Sequence, residues 1–263
     1  ENIFKIISHL QNELKQSEFR PINFEFNINE KGIANLTGDN GIEIVIRGVI
    51  DRVDIYESNG EKYIRVIDYK TGKKIFSMSS LLYGINLQML LYMFTITGSG
   101  GAYSDCNPAG VLYMPCGEIV CGRDRDESDN MEEYLNKHYK MNGVVLNDRA
   151  VLNAMEKDIQ GIYIPAKLLK GDTGDGELLL NKRSSSCLTS SQFKKLRQHT
   201  EKIIIDVCNE LYSGNIDADP LVISGGSPCD YCDYWSVCGN VPCEKYREAD
   251  KHAEEEMLKI ISD

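Results

Sequence analysis

An α/β fold, a central mixed sheet flanked by helices, is what the sequence predicts, and three observations predict it. Gly48 to Lys70 reads as two alternating segments joined by Asn59-Gly60, the strongest short-range signal for a two-residue hairpin turn. Apolar residues recur at helical spacing over 2–16, 78–97 and 192–213. Further short runs, INFEFNI from Ile22 and GVLYMP from Gly110, read as strands that join the hairpin in one sheet.

Length and charge bound the function. The 263 residues, 42% of them hydrophobic, can bury one large domain, or one domain with a small appendage. No initiator methionine is present and the first residues already read as helix, so the chain is expected to be a piece of a longer protein. A formal charge of −11 argues against a protein that holds nucleic acid by bulk electrostatics. Any DNA contact has to be local or shared with a partner. Nine cysteines, no signal peptide and no membrane-length apolar run point to a reducing cytoplasm, no membrane, and a metal role rather than disulfides. The longest apolar stretch, Ile85 to Ile96, is interrupted by Gln88 and reads as a core helix.

In chain order, Ile3, Phe4, Ile6, Ile7, Leu10 and Leu14 give the opening helix an apolar stripe expected to face inward. In the strand from Ile22 to Ile28, Glu25 falls on the polar face. The hairpin follows over 43–57 and 62–69. After the Gly72 turn, Ser77 to Ser80 offer caps for a helix to about Thr97, on which Gln88 and Tyr92 lie one turn apart. Past the strand at 110–115, residues 117–130 read as a charged exposed loop and Met131 to His138 as a short helix; His138 reads as a surface or satisfied histidine. Arg149 to Asp158 is expected helical and Gly161 to Leu168 extended. Gly171 to Gly176 alternates acids and glycines but lacks the twelve-residue calcium-loop pattern, and reads as a hairpin turn. The last long helix carries Leu196, Ile203, Ile204, Val207, Cys208 and Leu211 as its inward stripe and stops at Gly214.

The hairpin carries the chemistry. With Asn59-Gly60 as the loop, Ser58 pairs with Glu61, Tyr56 with Tyr63, Asp54 with Arg65, Val53 with Val66, and Asp51 with Asp68. Alternation puts Val53, Ile55, Ile64 and Val66 on one face with Asp51, Asp68 and Lys70. Directly opposed acids destabilise a sheet unless a cation compensates them or one is protonated, and a divalent metal supplies that cation. Lys70, two residues past Asp68 and on the same face, reaches toward a scissile phosphate or the attacking water as a point charge. Two surface acids facing each other in a polar meander is the bland alternative. Basic residues cluster at Lys70, Lys73 and Lys74, and again at Lys182, Arg183, Lys194, Lys195 and Arg197; the second group reads equally well as solvated faces.

Cys229, Cys232, Cys238 and Cys243 are separated by two, five and four residues, with Gly225, Gly226 and Pro228 nearby to let the backbone fold around a metal. Cys106, Cys116, Cys121, Cys187 and Cys208 show no ligand spacing.

Gly48-x-x-Asp51, Asp68-Tyr-Lys70-Thr and Gln88-x-x-x-Tyr92 resemble the motifs of RecB-like nucleases in the PD-(D/E)XK superfamily, whose core is restriction-endonuclease-like. Cys229-x-x-Cys232-x5-Cys238 resembles the cysteine run of the subset that carries an iron–sulfur cluster. MNGVVLNDRAVLNAME, YIPAKLLKGD and SPCDYCDYWSVCG resemble, more narrowly, the C-terminal nuclease domain of AddB-type subunits of bacterial helicase-nucleases. The resemblance runs from about Asn23 to Gly239.

It implies a nuclease core over 1–215 with an insertion at about 117–180, then a cysteine-rich segment and C-terminal helix over 216–263. It implies Mg²⁺ or Mn²⁺ on Asp51, Asp68, the carbonyl of Tyr69 and an upstream acid, best matched by Glu25 and less well by Glu18. Lys70 would be catalytic, and Gln88 and Tyr92 would contact the DNA strand. The family's [4Fe-4S] cluster takes its fourth cysteine from far upstream, where this chain has none. Either that ligand lies outside the chain, or Cys243 supplies it, or the four local cysteines hold zinc. A family histidine preceding the core is not matched, since His9 lacks its context. By resemblance the protein would pair with an AddA-like helicase-nuclease as a heterodimer and cut the 5′-terminated strand at double-strand breaks. The alternatives are a stand-alone CRISPR-associated RecB-like exonuclease and a non-catalytic DNA-binding or subunit-docking module.

Overall fold

The computed structural model describes residues 2–28, 36–38, 41–72, 74–118, 131–172, 174, 178–223, 226–238 and 245–262. Lys73, Cys121, Cys243, Gly225 and most of the charged 117–130 loop lie outside these described residues.

The elements are α1 (Asn2–Gln16), β1 (Arg20–Asn27), β2 (Leu36–Thr37), β3 (Glu43–Ile44), β4 (Val49–Ser58), β5 (Glu61–Lys70), α2 (Met78–Leu82), α3 (Gln88–Thr97), β6 (Cys106–Pro115), α4 (Met131–Tyr139), β7 (Asn142–Leu146), α5 (Arg149–Met155), β8 (Cys187–Leu188), α6 (Ser190–Tyr212), β9 (Leu221–Val222), β10 (Arg247–Glu248) and α7 (Ala253–Ile261). Six strands form the central sheet in the order β1-β4-β5-β6-β7-β8. The β5–β6 and β7–β8 pairs are parallel and the others antiparallel, so the sheet is mixed as expected. A parallel pair needs a crossover, and α2 with α3 supplies the one between β5 and β6.

Alternation builds the core. Val53, Ile64 and Val66 of the hairpin, Val111 and Leu112 of β6, and Leu90 and Met93 of α3 are all fully buried in one cluster. Each such side chain contributes about 1.5–3 kcal/mol relative to exposure.

Four expectations change. The helix over 78–97 is two helices, because Gly84 (φ +77°) and Asn86 (φ +66°) take left-handed conformations that no continuing helix allows. The stripe of α1 is split: Ile6 and Leu10 pack against the core, while Ile3, Phe4, Ile7 and Leu14 are exposed and the buried side carries His9 and Glu13. The sheet face that Glu13 meets presents Arg52 and Arg65, so a carboxylate suits it better than leucine. Only the first half of α6 is buried, through Phe193, Leu196 and Thr200, and Val207 and Leu211 face outward. The 161–168 segment is not a strand but a bent loop, gathered by the buried Glu156 carboxylate, which accepts from the backbone N–H groups of Ile162, Tyr163 and Ile164 at 2.8–3.0 Å.

The turn expected near Gly171 is present where it is described. Leu168 bridges Leu180 in antiparallel fashion, and Asp172 accepts from Gly174, Leu179 and, bidentately, Arg149. Among the described residues no helix is long and apolar enough to cross a membrane.

Candidate active site

The Asn59-Gly60 turn sets the register, and Asn59 takes the positive φ of 52° that this turn requires. Ser58 pairs with Glu61, Tyr56 with Tyr63, Asp54 with Arg65, Val53 with Val66 and Arg52 with Ile67. One step further the same register sets Asp51 against Asp68, and the Tyr69 N–H donates to Asp51 Oδ2 at 2.8 Å.

Asp68 is only 6% exposed. Lys70 Nζ lies 2.6 Å from its Oδ2 as an ion pair, and apart from that ammonium this buried oxygen meets no hydrogen-bond donor among the described residues. Burial raises the Asp68 carboxyl above its ordinary value; Lys70 draws it back, the Asp51 charge adds to the rise and Lys74 opposes it. Two adjacent carboxylates, one of them buried with only a lysine ammonium against its inner oxygen, form a hard-oxygen donor set that fits a divalent cation.

Glu25 is exposed, and its neighbours Phe24 and Phe26 pair with Arg52 and Ile50, the residues on either side of Asp51. The backbone register thus sets Glu25 opposite Asp51, with φ +48°, where a non-glycine residue is uncommon, but its exposed side chain does not gather with Asp51 and Asp68 as a three-ligand group. Glu18 lies before the start of β1, at the end that pairs with Ile55, away from the acid pair.

Gln88 and Tyr92 do share a face of α3, and Gln88 Nε2 donates to Tyr92 Oη at 3.2 Å. The phenol lies against Gly48, where a Cβ would overlap its Oη and Cζ atoms. Glycine at 48 therefore lets Tyr92 reach the start of β4, three residues before Asp51.

Several residues around the acids were not anticipated. Tyr113 pairs with Asp68 across the parallel β5–β6 ladder; its phenol is pushed up to about 12 by burial and then by the Asp68 charge. Cys116, discarded as a ligand by its spacing, donates its N–H to the Lys70 carbonyl at 2.7 Å, and its thiol is raised by burial and by the Asp51 charge. Both are contacts between β5 and β6, which the hairpin count does not reach.

On the opposite face, Glu13, Arg52, Asp54 and Arg65 are all at most 2% exposed. Arg52 donates bidentately to Asp54 at 2.7 and 2.5 Å and to Glu13 at 3.3 Å; Arg65 donates to Asp54 at 2.9 Å and to Glu13 at 2.5 Å. Burial works against the Arg52 charge, but the hydrogen bonds and charges of its two carboxylates outweigh it and raise its pKa. The count predicted Asp54 beside Arg65; nothing in it showed that Arg52 and Glu13 would close the cluster. His9 belongs to this side. It packs between Tyr139 and Tyr163 with centroids 5.5 and 5.1 Å away, and burial lowers its pKa against the pull of Glu13 and Asn136.

The cysteine segment is different. Pro228–Tyr231 forms one 3₁₀ turn capped by Ser227 and Asp230. Cys229 and Cys238 are half-buried and Cys232 is exposed, and among the described residues no three His, Cys, Asp or Glu side chains gather as a metal-ligand group. As they stand, Cys229, Cys232 and Cys238 do not fit a cluster of iron and sulfur, and Cys243 lies outside the described residues.

Comparison with known proteins gives this geometry its family. The chain is 31% identical over 97% of its length to an ATP-dependent helicase/deoxyribonuclease subunit of Clostridioides difficile, covering 23% of that protein. It is 32% identical over 95% of its length to the protein of the same name in Clostridium acetobutylicum, covering 22%, and 33% identical over 86% to that of Acetivibrio thermocellus, covering 20%. The chain thus spans less than a quarter of the length of these curated relatives. The family model for the PD-(D/E)XK nuclease superfamily matches residues 3–239, which include the hairpin, Lys70 and α3. With opposed acids, an Asp-x-Lys and a mixed sheet all inside that match, the chain belongs to the PD-(D/E)XK nuclease superfamily.

Proposed function

We propose that this chain is a metal-dependent DNA exonuclease domain that hydrolyses phosphodiester bonds within a helicase-nuclease assembly. The observation that carries it is the nearly buried Asp68 carboxylate set against Asp51, with the Lys70 ammonium 2.6 Å from its Oδ2 on the same face. Asp51 and Asp68, with the Tyr69 carbonyl and Glu25, would hold Mg²⁺ or Mn²⁺. Such an ion supplies a more acidic water and neutralises phosphate charge.

The chain's own residues do the rest. The Tyr69 N–H fixes one oxygen of Asp51, so that carboxylate presents the other. Lys70 is a mobile point charge, 31% exposed at its side chain, which exchanges its contact with Asp68 for the charge developing on the scissile phosphate. Gln88 and Tyr92, tied to each other and wedged on Gly48, offer a polar edge that orients the strand. No step of this chemistry passes through the cysteines.

The relatives' name, an ATP-dependent helicase/deoxyribonuclease subunit, supports DNA as the substrate and a helicase as the setting. On that basis the whole protein would act with an AddA-like helicase-nuclease on the 5′-terminated strand in recombinational break repair. The acidic balance, −11 overall, favours a second reading in which the domain only docks a partner.

Cleavage of end-labelled single-stranded DNA in Mg²⁺ or Mn²⁺, by this chain and by Asp68→Ala, separates the two. Cleavage by the parent that vanishes in the variant is expected. Calorimetry that finds no metal on either protein, together with no cleavage, would overturn the nuclease reading in favour of docking.

A further inference from the structure

Lys74 is held from three places at once. Asn142, at the start of β7, clamps the backbone around it: its Nδ2 donates to the Lys74 carbonyl at 2.9 Å and its Oδ1 accepts from the Phe76 N–H at 2.9 Å. Asn86, in the left-handed conformation that interrupts the 78–97 helical run, accepts from Lys74 Nζ. The Tyr113 ring of β6 lies under the ammonium, 6.0 Å from nitrogen to centroid. Asparagine tolerates a positive φ better than other non-glycine residues, but strain of this kind persists only where surroundings enforce it. At this position, what it secures is a half-buried lysine.

Location gives the lysine a task. Tyr113 pairs with Asp68 on the neighbouring strand, so their side chains share a face, and the Lys74 charge acts on the Asp68 carboxylate. Lys70 is ion-paired with Asp68, whereas the direct partners of Lys74 are a neutral amide and a neutral ring. A lysine whose direct partners are neutral keeps its charge for an anion, and Lys70 already serves the position beside Asp68.

We infer that Lys74 is a second phosphate-binding residue, which takes a non-bridging oxygen of the phosphodiester next to the scissile one while Lys70 stays with the reacting phosphate. The inference rests on the nuclease reading and adds to it the length of strand the site grips: two consecutive phosphates rather than one. It also answers the acidic net charge, since a lysine held in place attracts the backbone locally where the bulk of the protein repels it.

The test is the salt dependence of binding a single-stranded oligodeoxynucleotide in Mg²⁺, made in an Asp68→Asn background so that the strand stays whole. Each lost phosphate contact lowers the slope of log affinity against log salt by about 0.7 for a single strand. Lys74→Gln should weaken binding and lower the slope by about that amount, Lys74→Arg should restore both, and Lys74→Gln in the otherwise native chain should leave the melting temperature unchanged and Mg²⁺ affinity undiminished. An unchanged slope overturns the inference. So does a fall in melting temperature and metal affinity together with binding, which would make Lys74 an anchor for its loop. Cleavage by the parent, scored beside these, shows separately whether the nuclease reading itself stands.

Discussion

On the back of the β4–β5 hairpin, two arginines and two carboxylates are buried, paired and charge-neutral. On the front, a few residues along the same strands, two carboxylates face each other with one lysine in direct contact. Both faces carry charge out of water, but only the back balances its charges one for one, even though Arg65 Nη1 there has no hydrogen-bond partner among the described residues. Neutralised charge of this kind locks α1 onto the sheet and has little left to offer a ligand; unbalanced charge costs stability and is where a cation and a phosphate gain most.

If the contrast holds, the two faces respond oppositely to losing a carboxylate. Glu13→Gln leaves Arg52 and Arg65 buried with an excess positive charge, and breaking such a pair costs about 3–5 kcal/mol. Denaturant unfolding should show that loss, while Asp68→Asn, which relieves the repulsion with Asp51, should leave stability unchanged or raise it. Equal losses from both would erase the distinction.

A smaller effect is expected at the edge of the front face. Gly48→Ala would drive a methyl group into the buried Tyr92 ring, an overpacking that costs about 1–3 kcal/mol. In a Tyr92→Ala background the same substitution should cost far less, and a double-mutant cycle reads the difference. Additive losses would mean that Gly48 is required for its own backbone rather than for Tyr92.

The front face was the more legible of the two. Asn59-Gly60 and the period of two give the register with no further input, and the register alone aligns Asp51 with Asp68 and places Lys70 beside them. The back face defeats the same logic. Helical periodicity assumes that the apolar stripe points inward, so α1 reads with Ile3, Phe4 and Ile7 buried, whereas its inner side carries Glu13 to meet arginines 39 and 52 residues away. The Lys74 clamp is hidden for a related reason: Asn142 lies 66–68 residues from the groups it holds. The break in the 78–97 helix was signalled by Gly84 and Asn86, but the apolar run from Ile85 outweighed them. The cysteine spacing was plain in the sequence, whereas the described residues show three thiols that do not gather as a ligand group and do not include Cys243.

The finest test of the contrast is pH. Burial holds the Asp68 carboxyl above its ordinary value of 3.8, with the Asp51 charge adding to the rise. Between those two values the folded protein keeps a proton that the unfolded chain has lost, so through this window stability falls as pH rises. Asp68→Asn should remove that slope. A cation competes for the same carboxylate, so metal affinity should weaken as pH falls through the raised value, at a higher pH than an ordinary aspartate would give. Calorimetric Mg²⁺ titrations from about pH 4 to 7 read this directly. A metal affinity that stays flat across the window would mean that Asp68 gives up no proton on binding, and the front face would then owe its unbalanced charge to something other than a cation.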